Sequence, residues 1–141
     1  MLRDMVRILS DYGNNVGLID ERSEIAAMYK GMPQNDIGKR TDVMNNCLKH
    51  IGIKMMIRSM APNIIATDEI GGVNDEIAIE EAGYAGVKLL LTAHGEVLED
   101  VSKKLIDNKV FKNIIVLGKN IKPGFIKNIY SLKEDKYVVC Y

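Results

Sequence analysis

Apolar residues recur along this chain in two rhythms, and the alternation between them predicts a layered α/β fold. Leu2, Met5, Val6 and Leu9 fall at i, i+3, i+4 and i+7, so residues 2–10 are expected to form a helix with one apolar face. After a turn over 12–15, VGLID (16–20) is a short continuous apolar run, the mark of a buried strand, and it ends on Asp20. Residues 29–40 are polar, contain Pro33 and two glycines and have a poor apolar period, which predicts a moving or interface loop. Residues 49–60 read as a helix despite Gly52; Pro62 stops it and NIIATD opens the next strand. A helix is expected over 75–83, with Asp75 and Glu76 in the first turn, where the helix dipole favours anions, and Gly83 at its end. VKLLLTA (87–93) is an apolar strand, Leu98, Val101 and Leu105 mark the following helix, and KNIIVLG (112–118) is a further strand. The end differs, because 125–130 and 137–140 read as an antiparallel pair around a polar turn at 132–136. The expected order is βα units followed by a terminal hairpin.

Composition narrows the class. With 141 residues, 47% hydrophobic and 27% charged, the chain suits one ordinary core, and no repeat or internal boundary is evident. Cys47 and Cys140 lack paired metal-ligand spacing, which favours a reduced, cytoplasmic setting. No run approaches the roughly 18 apolar residues of a membrane span, so any membrane association is expected to be peripheral. A net charge of zero hides an asymmetry: residues 68–100 hold nine acids against one lysine, and residues 103–136 hold nine lysines against three acids. Opposite-signed surfaces suit head-to-tail self-association or a charged partner, and they also serve solubility. The lysines are not interleaved with a stacking module, so nucleic acid is not an expected partner.

The candidate chemistry lies in NIIATDEIGG (63–72). A short apolar strand would deliver Asp68 and Glu69 to its C-terminal end, where α/β sheets place their ligands. Asp68 suits holding a magnesium ion, and Glu69 suits orienting the water that attacks a terminal phosphate. The competing reading makes the same pair a cap for the helix near Asp75. No GxxxxGK[ST] run occurs in the chain, so the sequence offers half of an ATPase site. His50 has no acidic or cysteine partner at metal spacing and reads as structural or exposed; the eight methionines read as core filler.

VGLIDERSEIA (16–26), GKRTDV (38–43), MMIRSMAPNIIATDEIGG (55–72) and LLLTAHGE (89–96), in this order, resemble the stage III sporulation protein AA family of the RecA-like secretion ATPase superfamily. The resemblance covers nearly the whole chain. It implies an α/β RecA-like P-loop ATPase core with a mostly parallel sheet and a C-terminal antiparallel hairpin. ATP and Mg2+ are the implied cofactors, and a homohexamer the implied assembly. It further implies a mother-cell protein of an endospore former, cytoplasmic or peripheral at the membrane facing the forespore, with other stage III sporulation membrane proteins as partners. On matching positions, Asp68 is the metal-organising acid, Glu69 the catalytic glutamate and His94 the histidine-box residue. Asp20, Glu21 and Arg22 sit in the family's acidic block after the second strand of the intact domain, with Glu21 as a catalytic acid. Arg22, Arg40 and Arg58 are basic positions that contact nucleotide or a neighbouring subunit. Beside these roles stand a hydrogen-bonded loop position for His94 and surface pairing for the arginines. MLRDM (1–5) resembles the helix after a phosphate-binding loop, so the chain is expected to be the C-terminal portion of the ATPase domain, lacking the first strand and that loop. Little ATP turnover and poor stability are expected to follow. A noncatalytic assembly module derived from a secretion ATPase is the second reading.

Overall fold

A computed structural model describes residues 1–101, 103–118, 124–134 and 136–140. Where the hydropathy pattern shows no boundary, the chain divides into two compact units, Met1–Thr92 and Ala93–Tyr141. In the first, helix α1 (Leu2–Asp11) leads into strand β1 (Val16–Asp20), and the two-residue strands β2 (Met28–Tyr29) and β3 (Met32–Pro33) form a small hairpin inside the polar loop. Strand β4 (Thr41–Asn45), helix α2 (Lys49–Ser59), strand β5 (Ile64–Thr67), helix α3 (Val73–Tyr84) and strand β6 (Lys88–Leu91) follow. The four longer strands form a parallel sheet in the order β4-β1-β5-β6, so β1 and β5 are its interior strands.

Both interior strands are buried at every position, as a parallel strand covered on two faces must be. Period-two alternation divides their side chains. Val16 and Leu18 of β1 join Ile64 and Ala66 of β5 and Leu2 and Val6 of α1 in one apolar cluster. The alternate positions Gly17 and Ile19 meet α2. A Cβ on Gly17 would lie 2.5 Å from Met56 Sδ, and one on Gly52 would lie 2.9 Å from Ile19 Cγ2. Gly52 is thus accepted inside a helix because the close approach of α2 to β1 leaves no room for a methyl group. Two residues past the end of α1, Gly13, with a φ of +94°, turns the chain back while its N–H donates to the Ser10 carbonyl.

The second unit holds a 3-10 turn (Leu98–Asp100), a short helix α4 (Lys103–Asp107) and strands β7 (Asn113–Gly118), β8 (Phe125–Lys133) and β9 (Lys136–Val139). The expected α/β class with a C-terminal antiparallel hairpin is found, with β8 and β9 as the hairpin. Two details differ from the sequence reading. KNIIVLG is no βα-unit strand: β7 pairs antiparallel with β8, so the terminal sheet has three strands. The hairpin also pairs out to Lys133 and Lys136, which shortens the turn expected over 132–136; Asp135 lies outside the described residues. Burial pushes the Tyr137 hydroxyl above its ordinary pKa, although it donates to the Phe111 carbonyl at 2.6 Å. The N–H groups of Glu96 and Val97 hold the Asp100 carboxyl below its usual range.

Asp20 is fully enclosed at the end of β1. Its carboxylate accepts the backbone N–H groups of Glu24 (3.0 Å), Ile25 (3.1 Å) and Ala26 (2.8 Å), which folds the chain after β1 into a tight loop. Replacing Asp20 by alanine strands three backbone donors, and each unsatisfied buried donor costs about 1–3 kcal/mol. Asp20→Ala is therefore expected to lower unfolding free energy by about 3 kcal/mol in urea titration; a loss below about 0.5 kcal/mol would remove the carboxylate from this role.

Candidate functional site

Parallel strands that start at one edge of a sheet all finish at the other, and here the finishing edge gathers the acids. β1 ends on Asp20 and is followed by Glu21 and Arg22; β5 is followed by Asp68 and Glu69; β6 is followed by Thr92. Asp68 is 8% exposed, and its Oδ1 is buried without a hydrogen-bond partner among the described residues. An unsatisfied buried carboxylate oxygen is expensive unless something arrives to meet it. The capping alternative fails, because α3 begins at Val73, and at its N-terminus Gly72 N–H donates to Asp75 Oδ2 at 3.4 Å.

Glu69 sits in the left-handed region at φ +44°, a conformation that a non-glycine residue adopts only when its surroundings hold it there. Thr92 supplies much of that hold. Its Oγ1 accepts the Glu69 N–H at 3.1 Å, its carbonyl accepts the Ile70 N–H at 2.9 Å, and its own N–H donates to the Thr67 carbonyl at 3.3 Å. The Glu69 carboxylate projects from this fixed backbone and receives a charge-assisted hydrogen bond from Arg22 Nη2. Beside them, Lys49 Nζ lies 2.6 Å from Glu21 Oε2, and the Lys49 side chain is only 9% exposed.

Asp68, Glu69, Glu21 and Arg22 therefore share one edge, as the sequence placed them, but Glu21 is engaged by Lys49. Arg40 and Arg58 are not brought to this edge. Arg40 immediately precedes β4, its backbone carbonyl accepts the Val16 N–H at the start of β1, and its guanidinium bonds Asn15 Oδ1 at 2.8 Å. Arg58 lies in the last turn of α2, which leads through Pro62 into the start of β5. Both occupy the starting edge, a sheet's length from Asp68, so neither reaches a ligand held there by its own chain. His94 is exposed and opens the second unit, just past β6. His50 Nδ1 stands 3.8 Å from Asp75 Oδ1, a structural pairing between α2 and α3. Sequence reading missed Thr92 and Lys49; the LLLTAH block contains Thr92, but nothing in its spacing marks a residue that fixes the backbone 23 positions earlier.

A cavity of about 400 Å3 opens at the starting edge, lined by Asn14, Ile57, Pro62, Asn63, Val87 and Lys88 among others. It has no acid in its lining and lies away from Asp68 and Glu69, so it is not the candidate site. No group of three or more His, Cys, Asp or Glu side chains able to enclose a metal exists among the described residues. Magnesium needs no such cage, since it is ordinarily held by one or two carboxylates together with water and phosphate oxygens. The orphaned Oδ1 of Asp68 fits that requirement.

The parallel sheet with acids at its finishing edge defines an α/β fold, and a solved structure shares it. The X-ray structure of the Legionella pneumophila ATPase DotB superposes with a TM-score of 0.61 at 12% identity, covering 95% of this chain and 41% of that one. Residues 1–137 match the family described as Sporulation stage III, protein AA, and the chain belongs to that family. Stage III sporulation protein AA of Bacillus subtilis (strain 168) is 39% identical over 93% of this chain and 46% of its own length. Protein SEEDLING PLASTID DEVELOPMENT 1 of Arabidopsis thaliana is 29% identical over 73% of this chain and 15% of its own length. The chain thus spans less than half the length of these relatives. No helix among the described residues is long and apolar enough to cross a membrane.

The Glu21–Lys49 pair generates a test of whether that edge is held by charge. Removing one member of a largely buried pair leaves the other uncompensated, which costs about 3–5 kcal/mol when burial is complete. Glu21 is 31% exposed, so Glu21→Leu is expected to destabilise by roughly 2 kcal/mol, and adding Lys49→Met should restore most of the loss. Urea unfolding of the single and double variants measures both, and a double variant no better than the single one would rule out the pair as the cause.

Proposed function

We propose that this chain supplies the metal-organising and water-orienting half of a nucleoside-triphosphate hydrolysis site, working as a component of the sporulation stage III complex between mother cell and forespore. The observation that carries the reading is the buried Oδ1 of Asp68, without a hydrogen-bond partner among the described residues, beside a Glu69 whose backbone is held in a strained conformation. Family membership supports the sporulation setting, and the shared fold supports nucleotide as the ligand class.

In this reading Asp68 holds Mg2+ on the finishing edge. When bound, the ion neutralises charge on the phosphate oxygens. Glu69 orients a water molecule for in-line attack, and its position depends on Thr92, which fixes the backbone that carries it. Arg22 reaches the same space from the neighbouring strand and is placed to meet a phosphate. Glu21, neutralised by Lys49, is the further acid on this edge. His94 is assigned to sensing the terminal phosphate. The 141 residues contain no GxxxxGK[ST] run, so the nest of backbone N–H groups and the lysine that cradle the β- and γ-phosphates are not drawn from them. Arg40 and Arg58, on the starting edge, are assigned to contacts with a neighbouring copy in a ring, the assembly for which the opposite charges of residues 68–100 and 103–136 provide attraction.

Binding tests this without requiring turnover. Calorimetry with ADP should show binding that depends on magnesium, and Asp68→Ala should weaken it about tenfold, the effect of losing about 1.4 kcal/mol of ion contact. Glu69→Gln should retain binding. Magnesium-dependent affinity unchanged by Asp68→Ala would remove the acid from its role, and purified chain that binds other family proteins but no nucleotide would favour an assembly module instead.

A further inference from the structure

We propose that the outward sides of α2 and α3 form a self-complementary surface on which a second copy of this chain docks, with α2 of each copy lying over α3 of the other. The contact goes beyond the hydrolysis reading and does not depend on it. Both helices cover one face of the parallel sheet, where α2 meets Gly17 and Ile19, while α1 packs against the other face. Each commits one side to that core: Gly52, Ile53 and Met56 of α2 and Ala78, Ile79 and Ala82 of α3 are buried. The opposite side of a surface helix is ordinarily polar, and here it is not. Leu48, at the N-cap of α2, Ile51 and Met55 are exposed at i, i+3 and i+7. On α3, Val73 (72% exposed), Ile77 and Tyr84 (87% exposed) stand at i, i+4 and i+11. Helical periodicity gathers each set into one stripe, and two such stripes side by side make an apolar surface of the kind that marks a protein contact.

The charges select the partner. α2 carries Lys49, Lys54 and Arg58 and no acid, whereas α3 carries Asp75, Glu76, Glu80 and Glu81 and no lysine or arginine. Within one copy the helices run level and in the same direction, since His50 pairs with Asp75 in their first turns and Lys54 with Glu81 further on. A partner of uniform charge, or an anionic membrane, meets one helix of its own sign and is repelled by it. A second copy escapes this when the two-fold axis lies parallel to the helices. That axis keeps their direction and exchanges their sides, so the basic helix of each copy covers the acidic helix of the other and one patch makes both contacts. An axis across the helices stacks α2 on α2 and α3 on α3, which brings like charges together. With the helices level, the parallel axis sets Leu48 and Ile51 opposite Val73 and Ile77 of the second copy, and Met55 near its Tyr84 ring, a pairing that suits a thioether. Helices of 11 and 12 residues are about 17 Å long, so the patch is at the small end of specific interfaces and the dimer is expected to be reversible. The contact is face to face, distinct from head-to-tail contacts made at the edges of the sheet.

Complementation between two variants tests this geometry. Sedimentation equilibrium is run on the full chain, on Met55→Glu, on Tyr84→Lys and on an equimolar mixture of the two variants, with circular dichroism confirming that each folds. Between about 10 and about 500 µM the wild-type mass should climb from one copy towards two, as a small interface allows. Met55→Glu sets an acid against the acidic helix of the second copy and Tyr84→Lys a base against the basic one, so each alone should weaken dimerisation at least about tenfold. In the mixture the two substituted helices face each other with opposite charge while the two native helices keep their contact, so dimers should return. Association retained in either variant would place the contact elsewhere on the chain. A mixture that stays monomeric, or a wild-type chain that is monomeric at the highest concentration, would overturn the pairing of α2 with α3 between copies.

Discussion

The buried carboxylate of Asp20 is the constraint on which the candidate site depends. Fully enclosed at the end of an interior strand, it has three backbone N–H groups as partners, and satisfying them forces residues 20–26 into one tight loop. That loop determines where Glu21 and Arg22 point. Glu21 meets Lys49 at the first turn of α2, and Arg22 crosses to Glu69 beyond β5. A residue that reads as one more acid in an acidic block thus acts as the internal fastener of the block.

The sheet supplies the second condition. Because β1 and β5 are parallel, adjacent and in register from Val16 opposite Ile64, their last residues arrive side by side. Covering both faces with helices requires close approach, and Gly17 and Gly52 provide it where β1 passes under α2. The result is a base that presents paired charged side chains at one edge. The strained backbone of Glu69 is tolerated because Thr92 holds it through the neighbouring strand, an arrangement in which packing elsewhere offsets local strain at the site.

Much of this was legible in the sequence, for reasons that particular segments make plain. VGLID and NIIAT announced themselves because doubly covered strands are continuously apolar, and Asp68 and Glu69 followed directly at the end of one of them. TDVMN did not announce itself as β4: an edge strand carrying Asp42 and Asn45 has the polarity of a loop. KNIIVLG was recognised as a strand but not placed, since an apolar run does not reveal its pairing direction. The ion pairs at the site were beyond reach because Arg22 and Glu69, or Glu21 and Lys49, meet only through strand order. The same limit explains Arg40 and Arg58, whose charge suits phosphate while their position before a strand and at the end of a helix carries them to the far edge.

The central claim is that the finishing edge of the parallel sheet, and no other part of the chain, receives a metal-nucleotide. Substituting Mn2+ for Mg2+ with ADP and mapping paramagnetic broadening of backbone amide signals tests it residue by residue. Broadening should be strongest at Glu21, Arg22, Asp68, Glu69 and Thr92 and weak at Asn14, Arg40 and Arg58. Maximal broadening at those last residues, or even broadening across the chain, would contradict the account.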